Sequence, residues 1–144
     1  MADRDANTVR MEIPGRPEFL LLARLATSGV GLRAELTVDD IEDLKVAVAE
    51  ACTNVINHAF DDSVKPADRA IHVSMTAGKG EMTVEIEVEG EGLDPKELER
   101  SKRDGLDGKG GLGFGLMKEL TDSFRVESAP GSGTRVIMVK RATR

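Results

Sequence analysis

Two periods of hydrophobic positions run along the chain. Thr8 to Ile13 alternates Val9, Met11 and Ile13 with Arg10 and Glu12, which predicts a strand ended by Pro14-Gly15. Pro17 then opens a helix in which Phe19, Leu22, Ala23, Ala26 and Val30 recur at helical spacing to about Gly31, with Arg24 off that stripe. Thr37 caps a second helix, with Asp39 and Asp40 in the first turn where the dipole favours negative charge, running to about Phe60. After a loop from Asp61 to Pro66, period-2 alternation returns. Ile71, Val73 and Met75 mark a strand from Ala70 to Met75, and Met82, Val84, Ile86 and Val88 mark another, joined through Ala77 to Gly80 as a hairpin.

A short helix is expected from Pro95 to Ser101. Leu116, Met117 and Leu120 define another, beginning near Gly113 and ending at about Asp122. Strands from Phe124 to Ser128 and from Thr134 to Val139 flank the turn Ala129-Pro130-Gly131-Ser132-Gly133. No regular βαβ alternation appears, so the pattern favours a largely antiparallel α+β sandwich forming one domain over residues 1–144.

The second helix has two faces. Ile41, Leu44, Val48, Cys52, Val55 and Ala59 lie on one stripe and Glu50, Asn54 and Asn57 on the opposite one. A polar stripe of this kind is common on the solvated side of an amphipathic helix. Here, however, Val46, Ala47 and Thr53 accompany it where Lys and Glu are expected of a water-facing surface, so the face reads as partly covered. A carboxylate one turn from a carboxamide suits holding a metal ion and orienting a nucleophile.

Composition narrows the partners. A formal charge of −6 and a pI near 5.0 argue against nucleic acid as the main partner, since phosphate binding calls for clustered Lys and Arg. The single cysteine, Cys52, sits on the apolar stripe and reads as a small core residue, and the sequence has no paired Cys or His spacing of a zinc site. The polar start from Met1 to Asn7 lacks a signal core and no run is long enough to span a bilayer, so a cytoplasmic location is expected.

Glycine carries the next signal. Gly90 and Gly92 follow the strand ending at Val88, and Gly105, Gly108, Gly110, Gly111, Gly113 and Gly115 put six glycines into eleven residues just before a helix. Free N–H groups at such a helix start favour anions. Gly108 to Gly113 matches G-x-G-x-x-G, but Ser101-Lys102-Arg103-Asp104 precede it in place of a buried strand, and Lys109 is followed by Gly110 where a P-loop needs Ser or Thr.

The ordered set of Glu50-x-x-x-Asn54, Gly90-x-Gly92, the glycine-rich stretch and Gly133-Thr134 resembles the GHKL (Bergerat fold) ATPases, and within them the anti-sigma factor serine kinases of the RsbW/SpoIIAB type. The resemblance runs from about Pro17 to Val139. It implies a two-layer α/β sandwich with a mixed, largely antiparallel sheet covered by helices on one face, and ATP held between helix and glycine lid. It implies that Glu50 is the base toward an attacking hydroxyl and that Asn54 holds Mg2+. The nucleotide would be bound by Asn54, Asn57, His58, Val88, Gly90, Gly92, Gly110, Gly111, Leu112, Gly113, Phe114, Gly115 and Thr134. It further implies a homodimer that sequesters a sigma factor and phosphorylates a serine of an anti-anti-sigma (STAS) protein, with Arg24 contacting these partners.

One position departs from the family pattern. The first glycine box carries an Asp two residues before its first Gly, where it reads the adenine amino group; Val88 stands there, and strand alternation points it inward while Glu89 points the other way. Besides a serine kinase, the chain therefore also fits an anti-sigma-like binding module with an impaired nucleotide pocket, or an ATPase domain serving a histidine phosphorelay.

Overall fold

The computed structural model describes residues 7–60, 64–65, 68–90, 96, 114–128, 131 and 133–143. Strand β1 (Thr8–Pro14) leads through a 3-10 turn (Pro17–Phe19) into α1 (Leu20–Arg33) and α2 (Val38–His58). The hairpin of β2 (Ala70–Gly78) and β3 (Glu81–Val88) follows. Helix α3 (Phe114–Leu120) precedes β4 (Ser123–Ser128) and β5 (Thr134–Arg141). The five strands form one sheet in the order β1-β2-β3-β5-β4, and every pairing is antiparallel. The expected helix from Pro95 to Ser101 lies outside the described residues apart from Lys96.

The pleat sorts the sheet into two faces. Ile71, Val73 and Met75 on β2, Met82, Val84, Ile86 and Val88 on β3, and Val136 and Met138 on β5 are buried with Leu44, Val48, Cys52 and Val55 of α2 in one core. The opposite face is polar: the Arg135 guanidinium stands 3.6 Å from Glu85, 3.9 Å from Glu87 and 3.6 Å from Glu127. These pairs are solvent-exposed, so they contribute little to stability. The helices therefore have one face of the sheet to cover.

Local chemistry fixes the start of α2. Thr37 Oγ1 accepts from the Asp40 amide at 3.1 Å while Asp40 Oδ2 accepts from the Thr37 amide at 3.1 Å, a reciprocal capping box. Asp40 also accepts from the Thr143 amide at 2.9 Å and from its hydroxyl at 2.5 Å, so the same carboxylate ties the C-terminal segment to the helix start. Burial acts to raise its pKa, but the hydrogen bonds from Thr143 and Thr37 outweigh this and hold it well below the usual carboxylate range.

The buried stripe of α1 differs from the expected one. Ala23 and Val30 are buried as expected, but Leu22 is exposed, and Thr27 and Gly31 are buried in addition. The reason is close helix packing. A Cβ on Gly31 would come within 2.7 Å of Ile41 Cγ1, so α1 meets α2 through small residues that a leucine face would hold apart. Buried Thr27 satisfies its hydroxyl on the Ala23 carbonyl at 2.8 Å. Leu21, Leu25 and Leu32 are left exposed on the far side.

Candidate functional site

Helix α2 carries the site from its middle to its C-terminal end. Asn54 is 9% exposed, Glu50 and His58 are half-buried, and Asn57 faces solvent. The polar stripe is thus covered at its centre and open at its end. Of the small or apolar residues beside the stripe, Ala47 is fully buried, Thr53 is half-buried and Val46 is exposed, so the cover expected there is partial and at Ala47 it is protein packing. Packing of α3 against α2 explains it, with Phe114, Gly115 and Met117 buried in the contact layer.

The ends of β3 and β5 meet α2 through two glycines. Gly90 has φ 142°, and a Cβ there would lie 3.3 Å from the Ala59 carbonyl at the end of α2. Its own carbonyl accepts from the Gly133 amide at 3.1 Å. Gly133 has φ 79°, and a Cβ there would sit 2.4 Å from the Val88 carbonyl, so no other residue fits without moving β3. The chain thereby brings Val88, Gly90 and Thr134 together beside the C-terminal end of α2, the helix that also carries Glu50 and Asn54.

At that end the base-reading position is apolar. Val88 is 1% exposed and stands directly opposite Thr134 in the ladder. The Thr134 hydroxyl bonds the Ser128 hydroxyl at 2.9 Å, and Ser128 also reaches the Gly133 carbonyl at 3.3 Å. Pairing continues without a bulge from Glu81 to Val88, and Glu87 and Glu89 are exposed, so neither of these two carboxylates turns inward. The sequence marked Ser128 only as the last residue of a strand and did not signal this contact.

Phe114 and Gly115 at the start of α3 are buried, whereas Gly92, Gly110, Gly111, Leu112 and Gly113 lie outside the described residues. Arg24 is exposed on α1, where the sequence placed it off the buried stripe. Cys52 is fully buried and burial pushes its thiol up to about 12, which excludes it as a nucleophile at neutral pH.

Residues 13–140 match the histidine kinase-like ATPase domain family. The chain belongs to that family. This ATPase domain is 39% identical over 142 residues to the serine-protein kinase RsbW of Bacillus velezensis, covering 92% of this chain and 84% of that one. It is 33% identical over 139 residues to an anti-sigma F factor of Clostridium botulinum, covering 94% of both. Among solved structures it is similar to the RsbU and RsbW domains of a Mycobacterium tuberculosis protein, with a TM-score of 0.65 at 16% identity. That likeness, over 94% of this chain and 33% of the other, concerns the fold alone.

The donor set fits the phosphate end of a nucleotide better than the base end. Among the described residues no three His, Cys, Asp or Glu side chains gather to hold a metal by themselves. One carboxamide oxygen suits Mg2+ only as a partial shell, since Mg2+ keeps waters and phosphate oxygens as its other ligands. Asn54 meets that requirement. Val88 offers no hydrogen bond to a base.

Proposed function

We propose that this ATPase domain is an anti-sigma factor and serine protein kinase, which binds a sigma factor and transfers the γ-phosphate of ATP to a serine of an anti-anti-sigma (STAS) protein. The observation that carries the reading is the placement of Glu50 and Asn54, one helical turn apart on a partly covered face of the helix whose C-terminal end meets the Gly90–Gly133 junction. It is supported by relatives at 33–39% identity that bear the names serine-protein kinase RsbW and anti-sigma F factor.

The chemistry asks little covalent work of the protein. Glu50 accepts the proton of the attacking serine hydroxyl, and Asn54 holds Mg2+ through its side-chain oxygen. A Mg2+ ion held by Asn54 would supply neutralisation of the charge that develops on the phosphates. Half-burial of Glu50 keeps it close to a dry phosphate while leaving the incoming serine an approach. Asn57, His58, Phe114, Gly115 and Thr134 complete the nucleotide site, together with Gly92, Gly110, Gly111, Leu112 and Gly113. Arg24, exposed on α1, belongs to the partner surface of a cytoplasmic homodimer.

Incubation with labelled ATP, Mg2+ and a cognate STAS protein tests the assignment. Transfer to serine is expected from wild type, with a loss of about 100-fold or more in Glu50→Ala. Full transfer by Glu50→Ala, or none by wild type, defeats it.

Buried Val88 favours a second reading, a sigma-binding module with an impaired nucleotide pocket. Calorimetry with ATP and Mg2+ separates the two. Micromolar binding by wild type supports the kinase, and no binding supports the module.

A further inference from the structure

Lys140 occupies a place in β5 where an apolar residue is expected. It follows Val136 and Met138 on the core-facing side of the strand and pairs with fully buried Met82, and is itself 9% exposed. A lysine stem can lie along apolar surface, but its ammonium must then find partners. It finds two: Nζ donates to the Leu120 carbonyl at 2.8 Å and stands 3.5 Å from Asp43 Oδ2. Leu120 ends α3, and Asp43 belongs to α2. One ammonium therefore joins three elements.

These partners bear on the proposed site. Asp43 lies seven residues before Glu50, two turns along the same face of α2. Helix α3 has only seven residues and cannot hold itself as an isolated helix. Its carbonyl end is fastened: the Thr121 hydroxyl takes the Met117 carbonyl at 2.7 Å, and Lys140 takes that of Leu120, where a positive charge also suits the helix dipole. The Asp122 amide and carboxylate then bond β5 at the Val139 carbonyl and the Arg141 amide, at 2.8 and 2.7 Å. That second tie fixes the turn after the helix to the sheet and does not reach α2.

We propose that Lys140 is a positioning residue that sets where α3 stands against α2, the helix that carries Glu50 and Asn54. The proposal rests on the nucleotide reading above for its consequence in affinity, and on geometry alone for its consequence in local order. Lys140 touches no substrate.

Amide hydrogen exchange and calorimetry with ATP and Mg2+ test it on wild type, Lys140→Met, Lys140→Arg and Asp43→Asn. Lys140→Met is expected to speed exchange of Phe114 to Leu120 about tenfold while α2 and β3 stay within about twofold, which is the mark of local loosening. It is expected to weaken Mg-ATP binding about tenfold, and Lys140→Arg to restore most of both because it keeps charge and donors. Asp43→Asn, half-exposed and safe for folding, is expected to move both readouts about threefold in the same direction. Unchanged exchange over Phe114 to Leu120 in Lys140→Met and Asp43→Asn overturns the proposal, as does a uniform rise across all elements with no change in affinity. Failure of wild type to bind ATP overturns the nucleotide reading and the affinity consequence, while the exchange comparison still decides the clasp.

Discussion

Val88→Asp is the substitution that most directly probes the nucleotide pocket. Val88 is 1% exposed at the end of β3, so its removal forfeits about 1.5–3 kcal/mol of apolar burial. The introduced carboxylate meets the Thr134 hydroxyl directly across the ladder, which is already bonded to Ser128 at 2.9 Å, so its own desolvation is offset only in part. A net loss of about 2–4 kcal/mol follows for the free protein, a fall in Tm on the order of 10 °C. With ATP the sign reverses. One charged hydrogen bond to the adenine amino group contributes about 1–3 kcal/mol, which tightens Kd roughly ten- to hundredfold and selectively for adenine. Binding to the native state then returns about 2.7 kcal/mol of stability when ATP stands at 100 times Kd. Calorimetry with ATP and GTP, paired with thermal melts with and without nucleotide, reads both sides. If folded Val88→Asp binds ATP within twofold of wild type, or gains as much for GTP, then Val88 is not where the base is read.

The Gly133 junction and the Asp40 clasp give two further tests. Gly133→Ala places a methyl 2.4 Å from the Val88 carbonyl at φ 79° and is expected to cost more than about 3 kcal/mol in chemical denaturation. Gly131→Ala, also at positive φ but with open space around it, is expected to cost only about 1–2 kcal/mol, so equal losses would refute the steric argument. For Asp40 the native pKa lies below the unfolded value of 3.8, so the ionised clasp stabilises fully above that value and its contribution fades as pH falls below it. Asp40→Asn should therefore be about 2 kcal/mol less stable than wild type at pH 7, with the gap narrowing below about pH 4; a gap that stays constant with pH contradicts the assignment.

Strand alternation was the most legible signal because each buried residue on β2 and β3 has one neighbour pattern to satisfy, and Ile71 to Met75 and Met82 to Val88 fell on the core side as the sequence implied. The helices were less legible. Hydrophobicity pointed Leu22 inward, yet the helix buries small Thr27 against Met75 of the sheet and Gly31 against Ile41 of α2, and Leu22 is left outward. Ala47 repeats the lesson on α2, where a small residue beside the polar stripe marked packing while Val46 stayed exposed. The contact of Gly90 with the Ala59 carbonyl joins positions 31 residues apart, and no local period encodes it.

Lys140 shows where a break in a local rule did carry information. The core-facing sequence Thr134, Val136, Met138 and Lys140 is period-2 to its last member, and a charged residue there needs a buried partner that the strand cannot supply. The partner is a helix-end carbonyl together with Asp43. Asp43 in turn shares its face with Glu50. The same stripe of α2 thus presents a structural carboxylate at one end and the proposed catalytic carboxylate two turns later. On that proposal the ammonium adds a directional tie to the apolar layer of Phe114 and Met117, so that its loss loosens α3 before α2.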